Sequence, residues 1–194
     1  FYNYKEPLME FKEGHGYQAR YAVDYSVDVR LRGIGYDGPD HLNLGAGCNP
    51  IPGALNVDIQ QLPGIDLITD LRETWPIKDT SLDKVTAFHV FEHVPPLTAL
   101  HMAREAWRVL RWSGVLIIEV PDMRGLCQQV LGGNYGGITG GIFGGWDAVP
   151  DAHLFGYTTD SLAMLCYCAG FKRLVTGPGR DYHAVQIPTA RVEA

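Results

Sequence analysis

The chain has few cysteines, no long apolar run and no concentration of positive charge. Each shortage removes a class of function. A surface that tracks phosphates needs clustered Lys and Arg. Here the 16 Lys and Arg are scattered against 22 Asp and Glu, for a formal net charge of -6, so nucleic acid is not the expected partner. No apolar run approaches the roughly 20 residues that span a bilayer. No signal-peptide pattern stands at the start, whose first residue is Phe1. The four cysteines are Cys48, Cys127, Cys166 and Cys168. Cys166 and Cys168 are two residues apart in a helix-like run, so they face different ways and suit neither a zinc knuckle nor a Cys-x-x-C redox pair. Four reduced, mostly buried thiols in the cytoplasm are expected, with Cys48 a small loop residue. The remaining composition, 46% hydrophobic and 20% charged over 194 residues, fits one globular core.

The most informative stretch runs from Leu42 to Asp58: Leu-Asn-Leu-Gly-Ala-Gly-Cys-Asn-Pro-Ile-Pro-Gly-Ala-Leu-Asn-Val-Asp. A short apolar strand enters Gly45-Ala46-Gly47, and a second ends at Asp58. Glycines at a parallel strand's end let the backbone approach a ligand, and a carboxylate at the next strand's tip suits a ribose diol. Strands are expected at 41–45, 54–58, 65–69, 83–89, 114–120, 171–176 and 182–187. Pro95-Pro96 opens a helix to about Trp112, with an apolar stripe of Leu97, Leu100, Ala103, Trp107 and Leu110. A second helix is expected from Thr159 to Ala169, capped by Thr158, Thr159 or Asp160 and closed by Gly170. Gly177-Pro178-Gly179-Arg180 would join the last two strands as a hairpin, making the last strand antiparallel. Only 8 residues (46–53) separate strands one and two, and 6 (59–64) separate two and three. A parallel crossover with a helix needs a dozen or more. The helices there must be reduced, and one sheet face needs another cover: residues 1–40, or a partner subunit in a homodimer. The Gly-rich insert 131–146 is interleaved with Ile, Phe, Tyr and Trp, which fits a lid with aromatic contacts better than a linker.

Taken in order, five motifs carry a resemblance. They are Leu42 to Pro50, Leu55 to Asp58, Asp66 to Leu71, Phe88 to Val94, and Gly114 to Pro121. With them the chain resembles the class I S-adenosylmethionine-dependent methyltransferases, in the small type 11-like branch with a Gly-x-Gly-x-x-Pro loop. The resemblance covers residues 41–125 and implies an α/β, Rossmann-like fold. Its sheet would have seven mostly parallel strands with an antiparallel last strand. It divides the chain into a cover segment, 1–40, and a cofactor-binding domain, 41–194. It also implies S-adenosylmethionine as cofactor. Gly45, Ala46 and Gly47 would lie under its methionine part, and Asp58, followed by Ile59, would hold the ribose. Asp70 and the Leu71 backbone would meet the adenine, and His89 would line the methyl side. Many members carry an acid before the glycine loop where this chain has Asn43, which accepts a hydrogen bond but brings no charge.

Methyl transfer from a sulfonium is a displacement with an excellent leaving group, so alignment supplies much of the catalysis. A hydroxyl acceptor also needs a base. Glu92, His93, His153 and Tyr157 are the candidates. Glu92 and His93 follow the fourth strand, and His153 and Tyr157 would form an acceptor-side wall. Glu92-His93 could instead cap the Pro95 helix. Asp122 could contact the acceptor or simply end a strand. No metal is expected, because His89, Glu92 and His93 show no further ligand set. The acceptor is expected to be a small molecule or a glycan. The rival readings are a protein that binds the cofactor without transferring methyl and a NAD-dependent oxidoreductase. The second is disfavoured because Pro50 replaces the third glycine of Gly-x-Gly-x-x-Gly.

Overall fold

A computed structural model describes residues 39–135, 138–145, 151–179 and 189–193. The proposed cover segment, apart from its last two residues, therefore lies outside the described residues, as does the expected strand at 182–187. The described residues all belong to one compact unit, Arg32–Ala194.

The strands are β1 (His41–Leu44), β2 (Leu55–Asp58), β3 (Leu67–Ile68), β4 (Leu82–Phe88), β5 (Leu110–Pro121), β6 (Val175–Pro178) and β7 (Thr189–Glu193). The helices are α1 (Pro96–Val109), α2 (Met123–Leu131), α3 (Ile138–Phe143) and α4 (Thr159–Ala169). The strands lie side by side in the order β3-β2-β1-β4-β5-β7-β6. β1 to β5 pair in parallel, and β7 runs antiparallel to β5 and β6. The topology is α/β and Rossmann-like, and no helix stands between β1 and β4.

Period-two alternation splits the sheet residues between two faces. Leu42, Leu44, Leu55, Val57, Val85, Ala87, Leu116, Ile118 and Val120 share one buried cluster with α1 and α4. Small residues on α1 (Ala99, Ala103 and Ala106) bring that helix close to the sheet, and Met102 and Val109 fill the remaining space. The apolar stripe expected on this helix is therefore misphased. Leu97 and Trp107 are exposed, while Ala99, Met102 and Ala106 face the core. Large apolar residues drew the expected stripe, whereas close packing against the sheet selects the small ones.

Other boundaries also move. α1 ends at Val109 rather than Trp112, because Leu110 already pairs with Leu82. The register then shifts, so that Lys84 faces Val115 and Arg111–Gly114 bulges outward. Trp112 points fully into solvent. β6 begins at Val175, later than expected, and Gly177 and Pro178 are strand residues rather than a hairpin turn. α2 was not foreseen, and its N-cap is Asp122, whose Oδ2 accepts the Gly125 N–H at 3.1 Å. Part of the glycine insert is helical as α3. α4 has the expected bounds, and Thr158 and Ser161 form a reciprocal capping box. Only Cys166 is buried, with its thiol pushed up to about 12 by desolvation; Cys48, Cys127 and Cys168 are exposed, against the expectation of mostly buried thiols.

The loop from β3 to β4 is pinned by α1. Glu105 accepts the Trp75 N–H, and Arg108 donates to Glu105, Asp79 and the carbonyls of Trp75 and Ile77. Arg108→Ala leaves the mostly buried Glu105 and two carbonyls without their donor. We expect a loss of about 3 kcal/mol, read as a lower urea midpoint at unchanged slope.

His41 opens β1, with Nε2 2.9 Å from Thr86 Oγ1. Desolvation, then the charge of Lys84, lowers its pKa to about 4. Between the unfolded value near 6.5 and that lowered value, the unfolded chain binds a proton that the folded chain refuses. Stability should fall on acidification through this window. Urea midpoints across it should fall less steeply for His41→Asn than for the parent.

Candidate functional site

β1 and β4 are neighbours in space, but the chain leaves β1 toward β2 on one side and β4 toward β5 on the other. Such a switch point opens a crevice at the carboxyl ends of the strands. A cavity of about 260 Å³ lies there, lined by Asn43, Leu44, Gly45, Ala46, Gly47, Asn49, Phe88, His89, His93 and Asp151. The glycine loop forms one wall. Gly45 has φ +56°, and a Cβ there would lie 2.6 Å from Val90 Cγ2, so no other residue fits. A Cβ on Gly47 would meet nothing within 4 Å, which leaves its upper side open. The Ala46 N–H donates to Val57 O at 3.0 Å, tying the loop to β2.

Asp58 ends β2 and is 8% exposed. Its Oδ2 accepts the Gly47 N–H and its Oδ1 the Gln60 N–H, both at 2.9 Å. Each oxygen keeps a lone pair for a further donor. Ile59, just beyond, is half-buried. Asp70 is differently engaged. Burial alone would raise its pKa, but hydrogen bonds and charge from Arg72 outweigh that and lower it. Both carboxylate oxygens face Arg72, at 2.6–3.0 Å. Leu71 gives its carbonyl to Trp75 Nε1.

Asn43 works inside the sheet. Its Nδ2 donates to Asn56 Oδ1 and its Oδ1 accepts from Thr86 Oγ1, both at 3.0 Å. Asn56 in turn accepts the Ile51 N–H and donates to the carbonyls of Ile51 and Ala54. An acid at position 43 would set a carboxylate oxygen against Asn56 Oδ1 and lose the donor. Asn43→Asp should therefore destabilise the protein by about 2 kcal/mol, measured by denaturant unfolding at neutral pH.

The opposite wall comes from a 3₁₀ turn at Phe91–His93 and from residues 151–157. Glu92 and His93 do not cap α1: Pro95 is the N-cap and no side chain bonds there. His89 sits at φ +54°, an uncommon conformation for a residue other than glycine. This turn sets His89 Nδ1 3.1 Å from Glu92 Oε1. Glu92 is 1% exposed, and its Oε2 is buried without a protein partner.

The Glu92 carbonyl accepts the N–H groups of Leu154 and Phe155, docking the later segment onto the turn. An antiparallel bridge between Gly144 and Ala152 completes the alignment. A Cβ on Gly144, which has φ +81°, would lie 1.9 Å from Asp151 O, so the bridge depends on glycine. His153 and His93 then meet edge to face, with ring centroids 4.8 Å apart. His93 Nδ1 faces Ala152 O and His153 Nδ1 faces Gly141 O, both at 3.1 Å. A carbonyl can only accept, so each Nδ1 carries the proton and each neutral ring keeps its lone pair on Nε2. Desolvation is the main cause that lowers the His153 pKa, which favours the neutral ring.

Tyr157 is buried, with its hydroxyl unpartnered; desolvation first, then the negative charge of Glu92, raises its pKa. It is a donor and not a base at neutral pH. Asp122, assigned above to the α2 cap, has its Oδ1 buried without a partner. The structure therefore brings Glu92, His93, His153 and Tyr157 to one side of the crevice, and the Gly45–Gly47 loop and Asp58 to the other. Asp151 and Asn49 were missed by sequence reasoning. So were the orienting carbonyls of Gly141 and Ala152, since a backbone carbonyl carries no residue-type signal.

The methyltransferase domain family matches residues 45–118. No curated protein matches the chain in sequence. Among solved structures, a SAM-dependent methyltransferase from Archaeoglobus fulgidus is similar at 14% identity and TM-score 0.59, over 84% of this chain and 87% of its own. A Thermotoga maritima SAM-dependent methyltransferase, described as a possible histamine N-methyltransferase, is similar at 18% identity and TM-score 0.54, over 79% and 80%. The fold is that of the class I methyltransferases. The Burkholderia thailandensis 1,6-didemethyltoxoflavin-N1-methyltransferase, with 1,6-didemethyltoxoflavin and S-adenosylhomocysteine bound, is similar at 14% identity and TM-score 0.53, over 79% and 69%.

Proposed function

We propose that this protein transfers a methyl group from S-adenosylmethionine to a small-molecule or glycan acceptor. The observation that carries the reading is the crevice between β1 and β4, with a glycine loop and a strand-end carboxylate on one wall and a histidine pair on the other. The residues present fit the cofactor. The space above Gly47 is open, and the Asp58 oxygens each keep acceptor capacity toward the ribose hydroxyls. Asn43 would shape the methionine end from below, through the glycine loop that it anchors. Asp70 would need to exchange Arg72 for the adenine amino group, or leave that contact to the Leu71 backbone.

S-adenosylmethionine supplies a methyl on a sulfonium, which needs alignment more than acid or base help. The chain's part is to hold the acceptor in line and to manage its proton. His93 or His153 would take a hydroxyl proton on Nε2, and each ring's carbonyl partner would hold it in the required tautomer. Glu92 would orient His89, and Tyr157 would donate to an acceptor oxygen. The ligand named for the Burkholderia structure supports a small acceptor. A cytoplasmic setting fits three exposed free thiols.

Calorimetry separates the readings. S-adenosylhomocysteine should bind one to one, and NAD should not. Asp58→Ala should weaken S-adenosylhomocysteine binding by about 10- to 100-fold, the equivalent of one to two charge-assisted hydrogen bonds. Binding of NAD alone would overturn the proposal, and unchanged affinity in the variant would overturn the ribose assignment. Methyl transfer to any member of a panel of phenols, amines and sugars distinguishes a transferase from a cofactor-binding protein.

A further inference from the structure

We propose that Glu92, His93 and His153 form a binding site for one divalent transition-metal cation, open toward the crevice. Each offers a ligand atom, and these atoms all lie within 4.8 Å of one another. Zinc–nitrogen and zinc–oxygen bonds of about 2.0–2.2 Å set ligand atoms about 3.4 Å apart in a tetrahedron. The three groups need only small side-chain rotations to close on an ion.

Three further observations point to a cation. The first is Glu92 Oε2, a buried carboxylate oxygen with no protein partner beside two imidazoles. Burying such an oxygen unpaired is costly unless a cation or a donor arrives. The second is the orientation of the rings. Metal-bound histidines give their other N–H to a carbonyl or carboxylate, which fixes the tautomer and raises ligand basicity. His93 does this with Ala152 O and His153 with Gly141 O, leaving Nε2 as the ring nitrogen available to the ion. The third is that Glu92 Oε1 is itself held, by His89 Nδ1. All three ligands therefore have a supporting partner.

Two imidazoles and one carboxylate favour zinc, iron, manganese or cobalt over magnesium and calcium, which prefer oxygen. Three protein ligands leave at least one position for water or an acceptor oxygen. His93 also lines the crevice, so that position faces the space where the acceptor would lie.

What the cation would do rests on the methyl-transfer reading, whereas whether it binds does not. An acceptor hydroxyl bound to the cation has a lowered pKa. Its O–H bond breaks and the proton leaves to solvent water, because both Nε2 lone pairs now hold the metal. The oxygen's electron pair forms the bond to the methyl carbon, and the pair of the breaking carbon–sulfur bond stays on sulfur. No electron is gained or lost overall, so no oxidant is required.

The test uses the full chain without an affinity tag, stripped with a chelator and titrated with Co²⁺. The visible d–d absorption and calorimetry report the binding. One saturable Co²⁺ per chain is expected, displaced by Zn²⁺. His153→Ala and Glu92→Gln should each weaken Co²⁺ by about 100-fold or more. Both should still bind S-adenosylhomocysteine like the parent, which shows that they are folded. His101→Ala, at a histidine bonded to Glu73 O away from the crevice, should bind Co²⁺ unchanged. Absence of saturable binding, or parental Co²⁺ affinity in both variants, overturns the site. A parent that binds Co²⁺ but not S-adenosylhomocysteine would uphold the site and sink the methyl-transfer reading.

Discussion

The interaction on which the crevice depends is a buried polar ladder across three strands. It runs from His41 through Thr86 and Asn43 to Asn56, perpendicular to the strands. Buried amides are costly unless satisfied, so this ladder specifies one register. A slip of β1 by one residue would bring Leu42 or Leu44 into the ladder and break it. Asn56 extends the ladder to Ile51 and Ala54, and Asp66 Oδ2 accepts the Asn56 backbone N–H at 2.8 Å. The glycine loop is therefore held from below by side-chain amides, with no helix after β1 to support it. In a fold whose early crossovers are this short, polar side chains do what a packed helix would otherwise do.

The other wall is built on a different principle. Glu92 offers its carbonyl to two successive N–H groups, of Leu154 and Phe155, and its side chain to His89. One residue thus joins two stretches about 60 positions apart in sequence. The aromatic contact between Phe155 and Tyr157, with centroids 4.8 Å apart, stiffens the segment that follows. His153 is fixed three ways: by its ring to Gly141, by its N–H to Phe143 O, and by its edge contact with His93. Such fixing limits the side-chain entropy that any ligand must overcome.

The glycine loop, Asp58 and the bounds of α4 were legible because each rests on local chemistry: backbone approach, a strand-end acid and a reciprocal cap. The phase of α1 was not, because Ala99 and Ala106 win their places through close contact with the sheet rather than through hydrophobicity. α2 escaped because Asp122 reads equally well as a strand stop and an N-cap. The role of Asn43 was read as a weakened ligand contact, yet its partners are Asn56 and Thr86, visible only once strand register is known. His93 and His153 could be named separately. Nothing in the order of residues shows that a bridge at Gly144 and Ala152 brings their rings together.

The strand order has an evolutionary meaning. Every group assigned to the cofactor wall, except His89, lies between Asn43 and Leu71, and every group assigned to the acceptor wall lies between Glu92 and Tyr157. The two halves meet in the sheet along the β1–β4 pairing. Acceptor preference can therefore diversify by substitutions confined to the second half, while the first half conserves its ligand unaltered. The switch point acts as a seam at which one inherited half can be matched with many partners.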